Sequence, residues 1–380
     1  MRFLLALLAL SSSADPASIG RAIFQDRNLS QPPGQACISC HQPEAAFADP
    51  RRVSPGALQG RAGRRNAPSL MYAALIPALA FEDLLTPDGR EVYAWEGGLF
   101  HDGRARDLFE QVQQPFFSAD EMNLPNAAEF AKRLRQAAYA NLTWAQQDDE
   151  QVLFAAYQEL VAFLREPMFR PFDARIDDFL AGKKDALNPA ETRGLAVFRG
   201  AGGCADCHFL EPTEWPQTLL SDFGYDNLGV PSRGKPDPGL GVHKGKDAVG
   251  QFRVPSLRNV ALTAPYMHNG AIATLHEVME FYNKRDLEPD RWGPTDYPRT
   301  VNHDDMGNLE LSEQQVSDLV ALMEAFTDHS LLAMRPGQLF PIASVSTPSS
   351  ASMQLYFPGW THRLHRQFRA QSSPPSSGAK

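Results

Sequence analysis

The four cysteines of the chain fall into two copies of one pattern, Cys37-Ile38-Ser39-Cys40-His41 and Cys204-Ala205-Asp206-Cys207-His208. Two residues between the sulfurs let one turn of chain form thioethers to both vinyl groups of a haem. The adjacent imidazole then comes up beneath the iron as an axial ligand. A four-cysteine zinc site would not need a histidine directly after each pair, and paired redox dithiols usually sit in a βαβ pattern. The spacing therefore predicts two covalently bound haem c groups, one on Cys37, Cys40 and His41 and one on Cys204, Cys207 and His208.

What separates an electron carrier from a catalyst is whether one iron keeps an open coordination position for a small oxidant. Between His41 and His101 there is no histidine, and the methionine of that stretch is Met71. The expectation is an open first haem, with closure by Met71 or by a distant histidine as the alternative.

The elements that must position these groups read as helices and loops with little strand alternation. Asn126 caps a helix, with Glu129 reaching back and Phe130, Leu134, Ala137 and Ala138 at apolar spacing. Gln151 to Leu164 repeats that spacing through Leu153, Ala156, Leu160 and Phe163. A boundary is expected near Asp177 to Lys184. Asn188-Pro189-Ala190-Glu191 then opens the helix leading into the second motif. A capping box at Ser312 opens another, which buries Val316, Leu319, Val320, Met323 and Phe326. The fold class expected is mainly α, as two tandem c-type cytochrome haem domains with long loops, residues 15–185 and 186–335.

Met1-Arg2, the apolar run Phe3 to Leu10 and Ser11 to Ala14 read as an export signal, residues 1–14, which points to the periplasm. No segment approaches the ~20 apolar residues of a membrane helix. Residues 336–380, rich in Ser and Pro around an apolar island at Leu355 to Trp360, are expected to be a disordered tail. The tail's basic cluster, His362, Arg363, His365, Arg366 and Arg369, reads as solvated. With 43% hydrophobic and 21% charged residues the rest has material for real cores, and a net charge of −9 is the wrong sign for gripping nucleic acid.

Beyond the two motifs, several runs resemble the dihaem bacterial cytochrome c peroxidases, and within them the branch of the methylamine-utilisation protein MauG. They are Arg65-Asn66-Ala67-Pro68-Ser69-Leu70, His101-Asp102-Gly103-Arg104-Ala105, Glu121-Met122-Asn123 and the long run from Phe252 to Gly270. The resemblance covers about residues 20 to 330. It implies hydrogen peroxide handled at the first haem beneath Gln111, Pro115 and Glu121. A carboxylate there would take a proton from one peroxide oxygen and return it to the other. At the second haem, the position where ordinary members carry a closing methionine is Tyr282, the mark of the MauG-like branch. A phenolate lowers an iron's potential where a thioether favours the ferrous form. Met279, three residues earlier on one helix face, is the competing ligand. The resemblance also implies a calcium ion held by Asn66, Thr263 and Pro265, whose oxygens suit a hard cation.

Two positions depart from the family. The tryptophan before Asp-Gly-Arg is His101, and the MauG surface tryptophan before the second motif is Gly202, with Trp95 as the nearest indole to the first. The function expected is a periplasmic peroxidase that oxidises a small electron-donor protein. A MauG-type oxidase acting on a protein substrate and a non-catalytic two-haem carrier are the alternatives.

Overall fold

The structure, a computed structural model, describes residues 15–85, 91–140, 142–211 and 217–333, so the expected leader and tail lie outside the described residues. Most of the long helices begin where a side chain satisfies the first free amides. They are α1 (Pro16–Gln25), α2 (Ala127–Gln136), α3 (Asp149–Leu164), α4 (Pro189–Arg199), α5 (Leu275–Lys284) and α6 (Glu313–Glu324). Reciprocal capping boxes open α3 at Asp148 and Gln151, α4 at Asn188 and Glu191, α5 at Thr274 and Glu277, and α6 at Ser312 and Gln315. α2 differs from the expectation. Asn126 accepts from the Glu129 amide, but the Glu129 carboxylate turns forward to Lys132 and Arg133, cations one helical turn on. α2 also ends at Gln136, so Ala137 is extended and Ala138 exposed rather than part of its apolar face. α3 starts at Asp149, two residues before the expected Gln151, because its cap is Asp148.

α1 crosses α3 and α4 crosses α6, each at a glycine. A Cβ on Gly20 would lie 1.9 Å from the Glu159 carbonyl oxygen, and one on Gly194 would lie 2.1 Å from that of Asp318. Backbones can meet this closely only where one has no side chain. Each glycine is followed four residues later by a phenylalanine, Phe24 and Phe198, buried against Phe163 at 5.4 Å and Phe326 at 5.9 Å between ring centroids. The chain thus builds the same crossing twice, each time just before a Cys-x-x-Cys-His motif.

Two apolar cores follow. One gathers Phe24, Phe47, Phe116, Phe130, Trp144 and Phe163, and the other gathers Phe198, Phe281, Val316, Leu319, Met323 and Phe326. Met71 is buried within the first core. A short hairpin, β1 (Ala80–Leu85) with β2 (Glu91–Glu96), Phe81 opposite Trp95, and a two-residue antiparallel pair, β3 (Tyr225–Asp226) with β4 (Phe252–Arg253), complete the strands. The Tyr225 hydroxyl donates to the Gly97 carbonyl at 2.6 Å, which fastens the pair to the residue after the hairpin.

The halves are tied by a buried polar knot. Arg258 forks onto Asp177 at 2.6 and 3.0 Å, donates to the Thr218 carbonyl at 2.8 Å, and lies over Phe172 and Tyr72. Asp328 beside it accepts from the Tyr72 hydroxyl and from Asn259. The boundary expected near Asp177 to Lys184 falls on a short helix, Arg175–Leu180, that carries this carboxylate. Among the described residues no helix is long and apolar enough to cross a membrane.

Candidate active site

Both motifs fold alike. Cys37–Ser39 and Cys204–Asp206 each make one tight turn, closed by the His41 amide on the Cys37 carbonyl and the His208 amide on that of Cys204, both at 2.9 Å. His41 Nδ1 lies 2.9 Å from the Phe47 carbonyl oxygen, and His208 Nδ1 lies 2.9 Å from that of Leu220. A carbonyl only accepts, so Nδ1 carries the proton in both rings and Nε2 keeps its lone pair. Burial holds both imidazoles below the ordinary histidine range, His208 at about 4, against the pull of those carbonyls. All four cysteines are free, and burial pushes the Cys37 and Cys204 thiols up to about 12. Among the described residues no three His, Cys, Asp or Glu side chains converge for a metal ion, which excludes a four-cysteine zinc site. Two separate thiol pairs, each followed by an imidazole with a fixed tautomer, fit covalent haem c.

The segment after the hairpin runs through two short helical turns, Leu108–Gln111 and Gln114–Phe117, into the loop bearing Glu121. The Met122 amide donates to the Pro115 carbonyl at 3.1 Å and the Ala57 amide to that of Glu121 at 2.7 Å, which sets the loop against residues following the first motif. Burial raises the Glu121 carboxyl above the ordinary range, with Ser118 and Arg104 pulling it down and Asp120 adding to the rise. Its charge is felt at both Cys37 and Cys40, so the carboxyl lies within electrostatic reach of the first thiol pair. Pro115 and Glu121 are thus brought together. Gln111 lies one turn earlier, half-buried, and no hydrogen bond joins it to Glu121 among the described residues.

Tyr282 and Met279 share α5. Met279 is buried in the second core, while the half-buried Tyr282 phenol is in electrostatic reach of Cys204, Cys207 and Asp226. Burial, reinforced by those groups, pushes the phenol up, and Arg285 opposes the shift.

Between the two motifs lies a seam of charged and aromatic groups. Arg65 forks onto Asp237 at 2.8 Å and reaches Asp102 at 2.8 Å. His268 stacks on Phe252, its ring centroid 3.6 Å away. His101 Nε2 donates to the Asn66 carbonyl at 2.8 Å, and the Arg253 amide donates to the His101 carbonyl at the same distance. Burial, with Arg65 and Arg253 adding, lowers His101 to about 4, so it stands here as a neutral hydrogen-bonding residue. Asn66 donates its amide nitrogen to the Asp49 and Arg51 carbonyls, which turns Oδ1 the other way, as a cation ligand requires. The Asn66 amide donates to the His268 carbonyl, joining it to the segment that holds Thr263 and Pro265. Asn66 Oδ1, a neutral amide oxygen, is of the donor type that a hard cation takes. Gly202 is buried, and a Cβ there would lie 3.0 Å from the Val197 carbonyl oxygen.

Three groups at these sites have no sequence signature. The Phe47 and Leu220 carbonyls that orient the histidines are backbone atoms. Asp226, held by Asn302 at 2.6 Å and in electrostatic reach of Tyr282, sits on a two-residue strand too short for any periodicity.

Residues 14–185 match the family described as di-haem cytochrome c peroxidase. The methylamine utilization protein MauG of Paracoccus denitrificans is 33% identical over 351 residues, spanning 82% of this chain and 88% of that protein. Cytochrome-c peroxidase IdrP1 of Denitromonas iodatirespirans is 30% identical, spanning 83% of this chain and 82% of its own. Among solved structures, the diheme peroxidase BthA from Burkholderia thailandensis superposes with a TM-score of 0.75 at 31% identity, covering 85% of this chain and 88% of that one.

Proposed function

The chain belongs to the di-haem cytochrome c peroxidase family, and from that premise we propose that it is a periplasmic oxidoreductase that reduces hydrogen peroxide at its first haem and draws electrons from a donor protein through its second. Residues 15–185 and 186–335 would form the two tandem haem domains, in keeping with the repeated helix crossing, while the two cores exchange elements across that boundary, Ala174 and Ile176 joining the second and Leu219, Phe223 and Leu331 the first. The periplasmic address is supported by the charged start and apolar run of residues 1–14.

The observation that carries the reading is the Glu121 carboxyl, raised by burial, within electrostatic reach of Cys37 and Cys40, on a loop tied to the segment after the first motif by the Ala57 amide. Haem c bound there supplies an iron that takes up peroxide and accepts its oxidising equivalents. His41, its Nδ1 held by the Phe47 carbonyl, would hold that iron through Nε2. Glu121 takes a proton from one peroxide oxygen and returns it to the other, so that water is the leaving group. Pro115 narrows the space beside it, and Gln111 offers an amide for the oxidant. At the second haem His208, through Nε2, and Tyr282, through its phenol oxygen, would hold the iron, with Asp226 in electrostatic reach of the phenol. Asn66, Thr263 and Pro265 would hold calcium through neutral oxygens.

A MauG-type oxidation of a protein partner is the second reading, favoured by the 33% identity to that protein. His101 and Gly202 place no indole at either expected position, which favours the peroxidase. Glu121→Gln, followed by stopped-flow absorbance on mixing with peroxide, should slow peroxide cleavage by ~10²–10⁴-fold. An unchanged rate removes Glu121 from the mechanism.

A further inference from the structure

One cluster of ionisable groups beside the first motif has no part in peroxide cleavage. The chain leaves α2 at Ala137 and folds back so that the Tyr139 hydroxyl donates to Asp26 Oδ2 at 2.8 Å, across 113 residues of sequence. Arg133 of α2 fixes this return, donating to the Asn28 carbonyl at 2.8 Å and to that of Ser30 at 2.6 Å. Asp26 ends α1 and caps the turn at Arg27–Leu29 with its other oxygen, Oδ1, which accepts from Asn28. Tyr139 packs against the first core together with Cys37 and Ile38, and feels the charges of Asp26, Cys37 and Glu159. Glu159 is buried on α3, and its Oε2 has no hydrogen-bond partner among the described residues.

A tyrosine beside a haem can give up an electron only if its proton has somewhere to go. Burial and two carboxylates push this phenol far above its ordinary range, so it cannot ionise first. The Asp26 carboxylate at hydrogen-bond distance is an acceptor already in place, and Asp26, with Glu159 when ionised, sets a negative field that eases electron loss from the ring.

We propose, building on the peroxidase reading, that Tyr139 is a redox relay of the first haem site. Once peroxide has oxidised the haem on Cys37 and Cys40, one electron passes from the Tyr139 ring to that haem and the hydroxyl proton moves to Asp26 Oδ2. The neutral tyrosyl radical then takes one electron from an outside one-electron donor, and Asp26 returns the proton. Tyr139 is not wholly buried, which gives such a donor a path to the first haem that does not cross the second.

The test is freeze-quenched EPR of the holoprotein, grown with ring-deuterated tyrosine and mixed with hydrogen peroxide in the absence of donor. The result expected is an organic radical signal that narrows with the deuterium label and is lost in Tyr139→Phe. Asp26→Asn keeps Oδ1 as the cap acceptor and so the turn, but removes the proton acceptor, and should also lose the signal. A tyrosyl signal undiminished in Tyr139→Phe, or wild-type protein that consumes peroxide with no tyrosyl signal, overturns the relay while leaving the peroxidase standing. Wild-type protein that leaves peroxide intact overturns the peroxidase reading and the relay with it.

Discussion

Replacing Arg258 by Met tests whether the two halves are held together by the knot around this guanidinium. The Arg258 side chain is wholly buried and places two charge-assisted bonds on Asp177 and one bond on Thr218, while Asp328, with no exposed side-chain surface, lies 3.9 Å away. Methionine fills much of the volume but leaves both carboxylates without their cation. Breaking a buried pair from one side costs roughly 3–5 kcal/mol. For a chain of this size, at ~2.1 cal/mol/K of unfolding entropy per residue, that amounts to a fall of roughly 4–6 °C in the unfolding midpoint. The loss should depend on pH. Burial already raises Asp328 above the ordinary range, with Asn259, Arg258 and Tyr72 opposing, and removing Arg258 raises it further. A folded-state value above the unfolded one stabilises the fold below the unfolded value, and that contribution is lost as pH rises through the folded value. The deficit of Arg258→Met should therefore shrink in acid. The assay is thermal unfolding of the holoprotein, followed by far-UV circular dichroism at several pH values, with Arg258→Lys as a partner that keeps the charge and loses the fork. A midpoint within a degree or two of wild type at neutral pH would refute the reasoning.

Other outcomes follow from the sites. Because burial raises Glu121, the rate of peroxide cleavage should fall as pH drops through a value above the ordinary carboxylate range, and Glu121→Gln should flatten that acid limb. Tyr282→Met should raise the reduction potential of the second haem in a spectroelectrochemical titration, since a thioether favours the ferrous form, while Met279→Leu leaves it near wild type. The reverse pattern would make Met279 the ligand. Gly194→Ala puts a Cβ 2.1 Å from the Asp318 carbonyl oxygen and must push α4 off α6. Overpacking of this kind costs ~1–3 kcal/mol, read as a drop of roughly 1–4 °C in the unfolding midpoint.

What the sequence made legible is what local rules enforce. Thioether attachment requires two cysteines and a histidine within five consecutive residues, so both motifs stood out. The caps at Asn188 and Ser312 were readable because a capping box closes within four residues. The repeat of Gly20-x-x-x-Phe24 and Gly194-x-x-x-Phe198 was present but went unread, since a glycine's role appears only when another backbone lies against it. The hairpin of β1 and β2 left no strand signature because neither Ala80–Leu85 nor Glu91–Glu96 alternates apolar and polar residues along its length. The extent of α2 was misjudged because alanines continue a helical pattern while supplying little burial to enforce it. Contacts between residues far apart in the chain, such as Tyr139 with Asp26, Arg258 with Asp177 and the carbonyls behind His41 and His208, depend on the folded path and leave no pattern to read.

The central claim is that one haem stays open for peroxide while the other is closed by a side chain of α5. A low-temperature EPR spectrum of the air-oxidised holoprotein tests it most directly, because high-spin and low-spin ferric haem give separate signals. The account predicts one of each, with the high-spin signal changing on addition of a small anion that binds ferric iron. Two low-spin signals unaffected by the anion would contradict it.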